Sequence, residues 1–320
     1  MTVMLEARNL QKRFSLKPGL LARMAGNPVQ AVHAVNDVSL QVRKGEVLGV
    51  VGESGCGKST LGRMLAGLLP QTVGEIAWEG KRADIASAGY HRAVQMVFQN
   101  PYASLNPRLR IGQAITEGAV YHGIVKRARA ASFAGDLLQQ VGLDPGYAER
   151  FPHEFSGGQR QRVAIARALA LRPRLLICDE AVSALDVSVQ AQIINLFMRL
   201  RREHELTYVF ISHNLAVVEH MSDRVVIMYL GRIVESGDAR EVFAAPSHPY
   251  TRALLADAPR LGASPPAHQP IRGELPSPLA PPSGCAFHPR CPHASARCTA
   301  EVPALRDIGG RLSACHLNDY

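Results

Sequence analysis

The sequence predicts an α/β fold. A core built around a phosphate loop is joined by an antiparallel β subdomain, a helical insertion and a cysteine-containing C-terminal extension. Three observations predict it. Residues 52–60, GESGCGKST, match G-x-x-x-x-G-K-[ST] between an apolar run and a helical pattern. Apolar runs ending in polar side chains recur at 94–99, 174–180 and 207–213, as expected of strands whose carboxyl ends face a ligand. Between them, about 108–150 is helical in pattern and poor in strand formers.

Composition bounds the rest. The 320 residues are 47% hydrophobic and 20% charged, which marks a globular protein. No apolar run is long enough to cross a membrane. The opening MTVMLEARNLQKRF has charges where a signal peptide has its apolar stretch, so a cytosolic chain is expected. The net charge of +9 is scattered, with no long Lys/Arg block. That favours a basic protein near an anionic membrane surface over one that binds nucleic acid.

Residues 3–14 read as a strand ending in an aromatic, and 15–30 as a loop. Phe14 is placed either to stack on a nucleobase or to serve as an ordinary core residue. Residues 31–51 give two strands separated by Arg43-Lys44-Gly45, a turn signal. The second, Glu46–Val51, leads into the phosphate loop of Gly52, Glu53, Ser54, Gly55, Cys56, Gly57, Lys58, Ser59 and Thr60. Glycines let the backbone wrap phosphate with its N–H groups pointing inward, and the helix from Lys58 to Leu68 adds positive charge at its start. Lys58 is expected to neutralise the β/γ-phosphates, and the Ser59 hydroxyl to ligate Mg²⁺.

Residues 74–80 read as another strand. The strand at 94–99 ends in Gln99, whose amide oxygen can reach Mg²⁺ or an attacking water. After the helical stretch, Ser156-Gly157-Gly158-Gln159 opens a helix as a capping box, with bare N–H groups suited to an anion. The strand 174–180 ends in Asp179 and Glu180: Asp179 is expected to hold Mg²⁺ through water, Glu180 to polarise the water that attacks the γ-phosphate. Ser183 to Asp186 then lead into a helix to about 204. His213 ends the strand 207–213, where a γ-phosphate contact is expected. Residues 224–236 read as a hairpin turning at Leu230-Gly231, and His248-Pro249-Tyr250 opens a short helix. From Pro259 the chain is proline-rich and ends in four cysteines.

Five motifs occur in one order: GESGCGKST, Gln99, SGGQR, LLICDE with SALD, and ISH. This resembles the ATP-binding subunit of ABC transporters over residues 1 to about 240. In the second half, VFQNPYASLNPR, SHPYTRALL, GELPSPL and GCAFHPRCPHASARC…ACH resemble the dipeptide/oligopeptide importer ATPases of bacteria, over almost the whole chain. The resemblance implies an ABC domain at 1–258, with its helical subdomain at about 100–162, and an extension at 259–320. It also implies a two-subunit sandwich, with ATP between the phosphate loop of one subunit and Ser156–Gln159 of the other, and Asp186 at the subunit contact. The implied partners are a second, different ATPase chain, two membrane permease subunits and an extracytoplasmic binding protein, at the cytoplasmic face of the inner membrane. Two positions depart from the family pattern: Ala181 stands where Pro is usual, and Asn214 where Asp is usual.

Cys285, Cys291, Cys298 and Cys315 are separated by five, six and sixteen residues. Reducing cytosol disfavours disulfides, and the tight C-x₂₋₄-C pair typical of structural zinc is absent. Four thiolates suit a [4Fe–4S] cluster, as the resemblance also implies, with a structural role in tying down the tail. Zinc, a mixed site using His288, His293 or His316, and four unliganded thiols stay open. Three functional readings follow: an ATPase powering peptide import, the same ATPase serving nickel, glutathione or another small solute, and a soluble ABC ATPase of translation or DNA repair. A single set of motifs without sustained heptads weighs against the last.

Overall fold

The structure is a computed structural model that describes residues 2–16, 31–257 and 273–319. Most of the loop expected at 15–30, and the prolines from Pro259 to Pro270, lie outside them. The principal elements are β1 (Val3–Ser15), β2 (Ala31–Arg43), β3 (Val47–Val51), α1 (Lys58–Leu65), β4 (Val73–Trp78), β5 (Lys81–Arg82) and β6 (Val94–Val97). They continue with α2 (Ile111–Tyr121), α3 (Ala130–Gln140), α4 (Gly157–Leu169), β7 (Leu175–Asp179), α5 (Val187–His204), β8 (Thr207–Ile211) and α6 (Leu215–Met221). Last come β9 (Arg224–Tyr229), β10 (Arg232–Asp238), α7 (Pro249–Asp257), β11 (Arg306–Ile308) and β12 (Arg311–Ser313).

The chain divides into two compact units. The first contains Arg43–Val47 and Asp84–Ser212. In it β6, β7 and β8 run parallel, with Val97 opposite Cys178 and Asp179 opposite Ile211. Every residue of β7 and β8 is buried, so these strands are continuous apolar runs rather than alternating ones. The helix α5 packs Phe197 edge-on against Tyr208 and Phe210 of β8, and the Tyr208 hydroxyl donates to the Phe197 carbonyl at 3.0 Å. The stretch read as helical is α2, α3 and short 3₁₀ turns, followed by α4. The turn Arg43-Lys44-Gly45 is tied to the same unit: the Gly45 carbonyl accepts from Arg201, and the buried Glu46 carboxylate accepts from Arg43 N–H at 2.6 Å.

The second unit contains Thr2–Val42, Leu48–Ala83 and His213–Tyr320. One sheet has the order β2-β1-β4-β5, with Leu5 opposite Trp78 and Ala7 opposite Ile76. This is the antiparallel subdomain. A second run has β3 parallel to β9, then β9, β10, β12 and β11 antiparallel in turn. The hairpin β9–β10 turns at Leu230-Gly231, in line with its turn residues. The helix after the phosphate loop stops at Leu65, three residues before the expected end, because Gly67 turns the chain with its N–H on the Met64 carbonyl.

The C-terminal extension is held to the rest of its unit by strand pairing and aromatic packing. Its β12 extends the sheet at β10, pairing Ser313 with Glu235, and Phe287 is buried beside Tyr229 and Tyr250 at 5.3 and 5.4 Å between ring centroids. Strand pairing and one buried aromatic hold a tail too poor in apolar residues to pack by itself. Phe14 is exposed on β1, with the Lys12 ammonium 5.3 Å from its ring centroid, so it is not a core residue.

His248 is fully buried in this unit, and burial holds its pKa down to about 3, with the Arg252 charge acting in the same direction. Its Nδ1 accepts the Tyr250 N–H at 3.0 Å, which requires a neutral ring. In the unfolded chain the imidazole titrates near 6.5. Between pH 6.5 and 3 the unfolded state therefore binds the extra proton. The stability from the neutral ring is complete above pH 6.5 and declines by about 1 kcal/mol per pH unit below it. The urea midpoint is expected to fall between pH 7 and pH 5, less steeply in His248→Gln. Equal slopes in the two proteins would remove His248 as the cause.

Candidate functional site

In the second unit the phosphate loop joins β3 to α1, the strand–loop–helix context the motif needs. Gly57 caps α1 at φ 104°, a left-handed conformation. A Cβ there would lie 2.1 Å from the Ala34 carbonyl oxygen. Only glycine lets the loop close against β2 at this point. Lys58 is almost fully buried, and its Nζ donates to the carbonyls of Gly52 at 2.8 Å and Glu53 at 2.9 Å. Those bonds curl the lysine over the loop it belongs to. Ser54 and Gly55 are exposed, whereas Gly52 and Cys56 are buried. The Cys56 thiol is pushed up by burial, against the nearby Lys58 charge, so it stays protonated and packs as a small apolar group. Ser59 and Thr60 open α1, half-buried.

His213 and Asn214 also belong to this unit, and both are exposed. Asn214 caps α6, its Oδ1 accepting the Val217 N–H at 3.3 Å. The substitution of Asn for the usual Asp thus keeps an N-cap acceptor while removing a negative charge.

The other candidate residues lie in the first unit. Glu180 follows β7 at φ 47°, an uncommon conformation for a side chain of this kind and a form of strain found at functional sites. Its N–H donates to the Ile211 carbonyl at 2.9 Å. Gln99 Nε2 donates to Glu180 Oε2 at 3.0 Å, and the Ser183 hydroxyl donates to the Glu180 carbonyl at 2.9 Å. Gln99 and Glu180, 81 residues apart, are thus brought together. Asp179 is 4% exposed at the end of β7. Ser156 caps α4 in a full capping box: its Oγ accepts Gln159 N–H at 3.3 Å, and Gln159 Oε1 accepts Ser156 N–H at 2.9 Å. Ser156 and Gly157 are exposed, so the start of α4 faces outward. Gly158 sits where a Cβ would meet Val189 Cγ1 at 2.5 Å, which sets how closely α4 approaches α5. Asp186 is exposed at the start of α5 and makes no cap hydrogen bond.

The four tail cysteines are half-buried. Burial pushes the Cys285 thiol up to about 11, with the other three thiols acting in the same direction. Among the described residues, however, no group of three or more His, Cys, Asp or Glu side chains is arranged to hold a metal ion. The arrangement therefore gives no support to the expected [4Fe–4S] cluster or to zinc as its alternative. Local bonds set it instead: Cys285 N–H donates to the Cys298 carbonyl at 2.8 Å, and the Cys298 sulfur lies 3.4 Å from the Ser295 hydroxyl.

Sequence reasoning missed the partners of Glu53. Its N–H donates to the Tyr250 hydroxyl at 2.9 Å, and its carboxylate takes two bonds from Arg290 at 2.7 and 3.0 Å. No spacing rule links residues 53 and 290, so only the fold reveals the pair.

Residues 35–183 match the family described as ABC transporter, and residues 234–298 match the oligopeptide/dipeptide transporter C-terminal region. The di/tripeptide transport ATP-binding protein DppF of Pseudomonas aeruginosa is 48% identical over 99% of this chain and 98% of its own. The dipeptide transport ATP-binding protein DppF of Escherichia coli is 47% identical over 99% of this chain and 95% of its own. Among solved structures, a dimeric ATP-binding cassette in a post-hydrolysis state bound to ADP and Pi has a TM-score of 0.63 at 26% identity, covering 74% of this chain and 99% of that one. Among the described residues no helix is long and apolar enough to cross a membrane. With a glycine-closed phosphate loop, a capped SGGQ helix and relatives matched from end to end, the chain belongs to the ATP-binding subunits of ABC transporters, a family of ATPases, in the branch that carries the oligopeptide/dipeptide transporter C-terminal region.

Proposed function

We propose that this chain is the ATP-hydrolysing subunit of an importer of di- and oligopeptides, peripheral to the cytoplasmic face of the cell membrane. The observation that carries the reading is the C-terminal region. It matches the oligopeptide/dipeptide transporter family over 234–298 in a chain that also holds the phosphate loop and the SGGQ helix. Its partners in this reading are a second ATP-binding subunit, two permease subunits and an extracytoplasmic peptide-binding protein; nucleic acid has no part in it. The names of the relatives, all peptide transport ATP-binding proteins, support the cargo class.

The residues divide the work. The loop amides of residues 52–60 and the start of α1 hold phosphate oxygens, and Lys58 supplies positive charge. Glu180 accepts a proton from the attacking water, held by Gln99. His213 contacts the γ-phosphate, and Phe14 offers a face to the base. Ser156, Gly157, Gly158 and Gln159 present an exposed helix start to the nucleotide of the partner subunit, with Asp186 at the contact. Ser59, Asp179 and Gln99 have the oxygen donors that Mg²⁺ takes, and when bound with ATP the ion offsets phosphate charge. The cysteine cluster is not carried into this reading, because the thiols as placed do not form a metal-holding group.

The test is uptake of a labelled dipeptide by a null strain complemented with wild type or with Glu180→Gln. Uptake restored by wild type alone is expected. No gain over the null strain from either protein, with both at the membrane, would redirect the search to another small solute such as nickel or glutathione, or to a redundant peptide system.

A further inference from the structure

The ion pair between Glu53 and Arg290 joins the phosphate loop to the C-terminal extension, 237 residues away in sequence. Its setting is unlike that of a surface pair. The Arg290 side chain is 6% exposed and that of Glu53 26%, so water screens the pair poorly. The geometry is a fork, with Nη1 at 2.7 Å from one carboxylate oxygen and Nη2 at 3.0 Å from the other. The guanidinium also lies over the Tyr229 ring, 5.9 Å from its centroid. Three residues upstream, Phe287 is buried against Tyr229 and Tyr250, which anchors the segment that carries Arg290.

The main chain of Glu53 is held from the same side, its N–H on the hydroxyl of the buried Tyr250. The Glu53 carbonyl in turn receives the Lys58 ammonium. Three anchors therefore meet on one loop residue: Arg290 on its carboxylate, Tyr250 on its N–H, and Lys58 on its carbonyl. Charge gives the arrangement a direction. An unpaired carboxylate on the phosphate loop would repel a polyphosphate, and Arg290 neutralises it.

We propose that Arg290 is a positioning residue of the nucleotide site: acting through Glu53, the C-terminal extension holds the phosphate loop and Lys58 in the form that takes a nucleoside triphosphate. This rests on reading residues 52–60 as the phosphate loop. The extension then serves ATP binding as well as any role in assembly, and its loss weakens nucleotide affinity.

The test measures equilibrium binding of ATP, by displacement of a fluorescent ATP analogue, to the full chain and its variants, with thermal melting of each. Arg290→Ala is expected to weaken ATP about tenfold. Arg290→Lys, which keeps the charge and loses the fork, is expected to weaken it about threefold. Adding Glu53→Gln to Arg290→Ala removes the unpaired carboxylate and is expected to bring affinity back to within about threefold of wild type. A residue that mattered only for folding would lower the melting temperature without this rescue, and that result overturns the proposal. Wild-type affinity in Arg290→Lys overturns it too, and this variant decides the matter if Arg290→Ala does not fold. Lys58→Ala separates the two levels. If it binds ATP as wild type does, the reading of the loop fails; if it loses ATP while the Arg290 variants keep it, only the brace fails.

Discussion

Glu180→Gln is expected to bind ATP as wild type does and to hydrolyse it at least about a hundredfold more slowly. The substitution keeps the size and shape of the side chain and removes its capacity to accept a proton. The fold around it has little reason to change. Its N–H still reaches the Ile211 carbonyl, and an amide oxygen can still accept the Gln99 bond now made to Oε2. The positive φ at this position is borne equally by Glu and Gln. Steady-state phosphate release and nucleotide binding, measured on one preparation, check the result. Turnover within about threefold of wild type would take the general-base role away from Glu180. Loss of binding as well as turnover would show that the carboxylate helps hold the nucleotide.

The second large effect is expected at Gly57. In Gly57→Ala the new methyl would lie 2.1 Å from the Ala34 oxygen, and a backbone at φ 104° would carry a side chain that disfavours it. The atom it meets is backbone rather than a flexible side-chain end, so the loop or β2 must move. A cost of about 3 kcal/mol or more is expected, with nucleotide binding lost because the loop no longer closes. Gly55→Ala is the matched control. Gly55 also has a positive φ, 81°, but nothing lies within 4 Å of a Cβ there. It is expected to cost only backbone strain, about 1–2 kcal/mol. Urea unfolding and ATP binding of both variants decide the matter. Equal losses at the two positions would assign the effect to backbone conformation and acquit the Ala34 contact.

Much of the site is legible in the sequence because its groups are local. A phosphate loop needs its glycines, lysine and hydroxyl within nine consecutive residues, and 52–60 supply them. The capping box at Ser156 and Gln159 is likewise a three-residue relation, and the structure places both of its hydrogen bonds. Apolar runs mark β7 and β8, since strands buried on both faces carry no polar alternation to confuse the reading. The hairpin at Leu230-Gly231 is marked by its turn residues.

The tail shows where such reading stops. Four cysteines in a short stretch suggest a cluster, yet ligation depends on where four side chains point, and spacing does not determine that. The extension is rich in proline and poor in apolar residues, so its sequence does not say what holds it. In the structure β12 pairs with β10 and Phe287 fills a place among aromatics contributed by distant segments. The phosphate loop, the capped SGGQ helix and the stretches that form the core strands can be read from neighbouring residues alone. That Gln99 meets Glu180, and that Arg290 and Tyr250 grip Glu53, follows from the folded chain, because hydrogen bonds and charge pairs act over a few ångströms of space and are indifferent to distance along the chain.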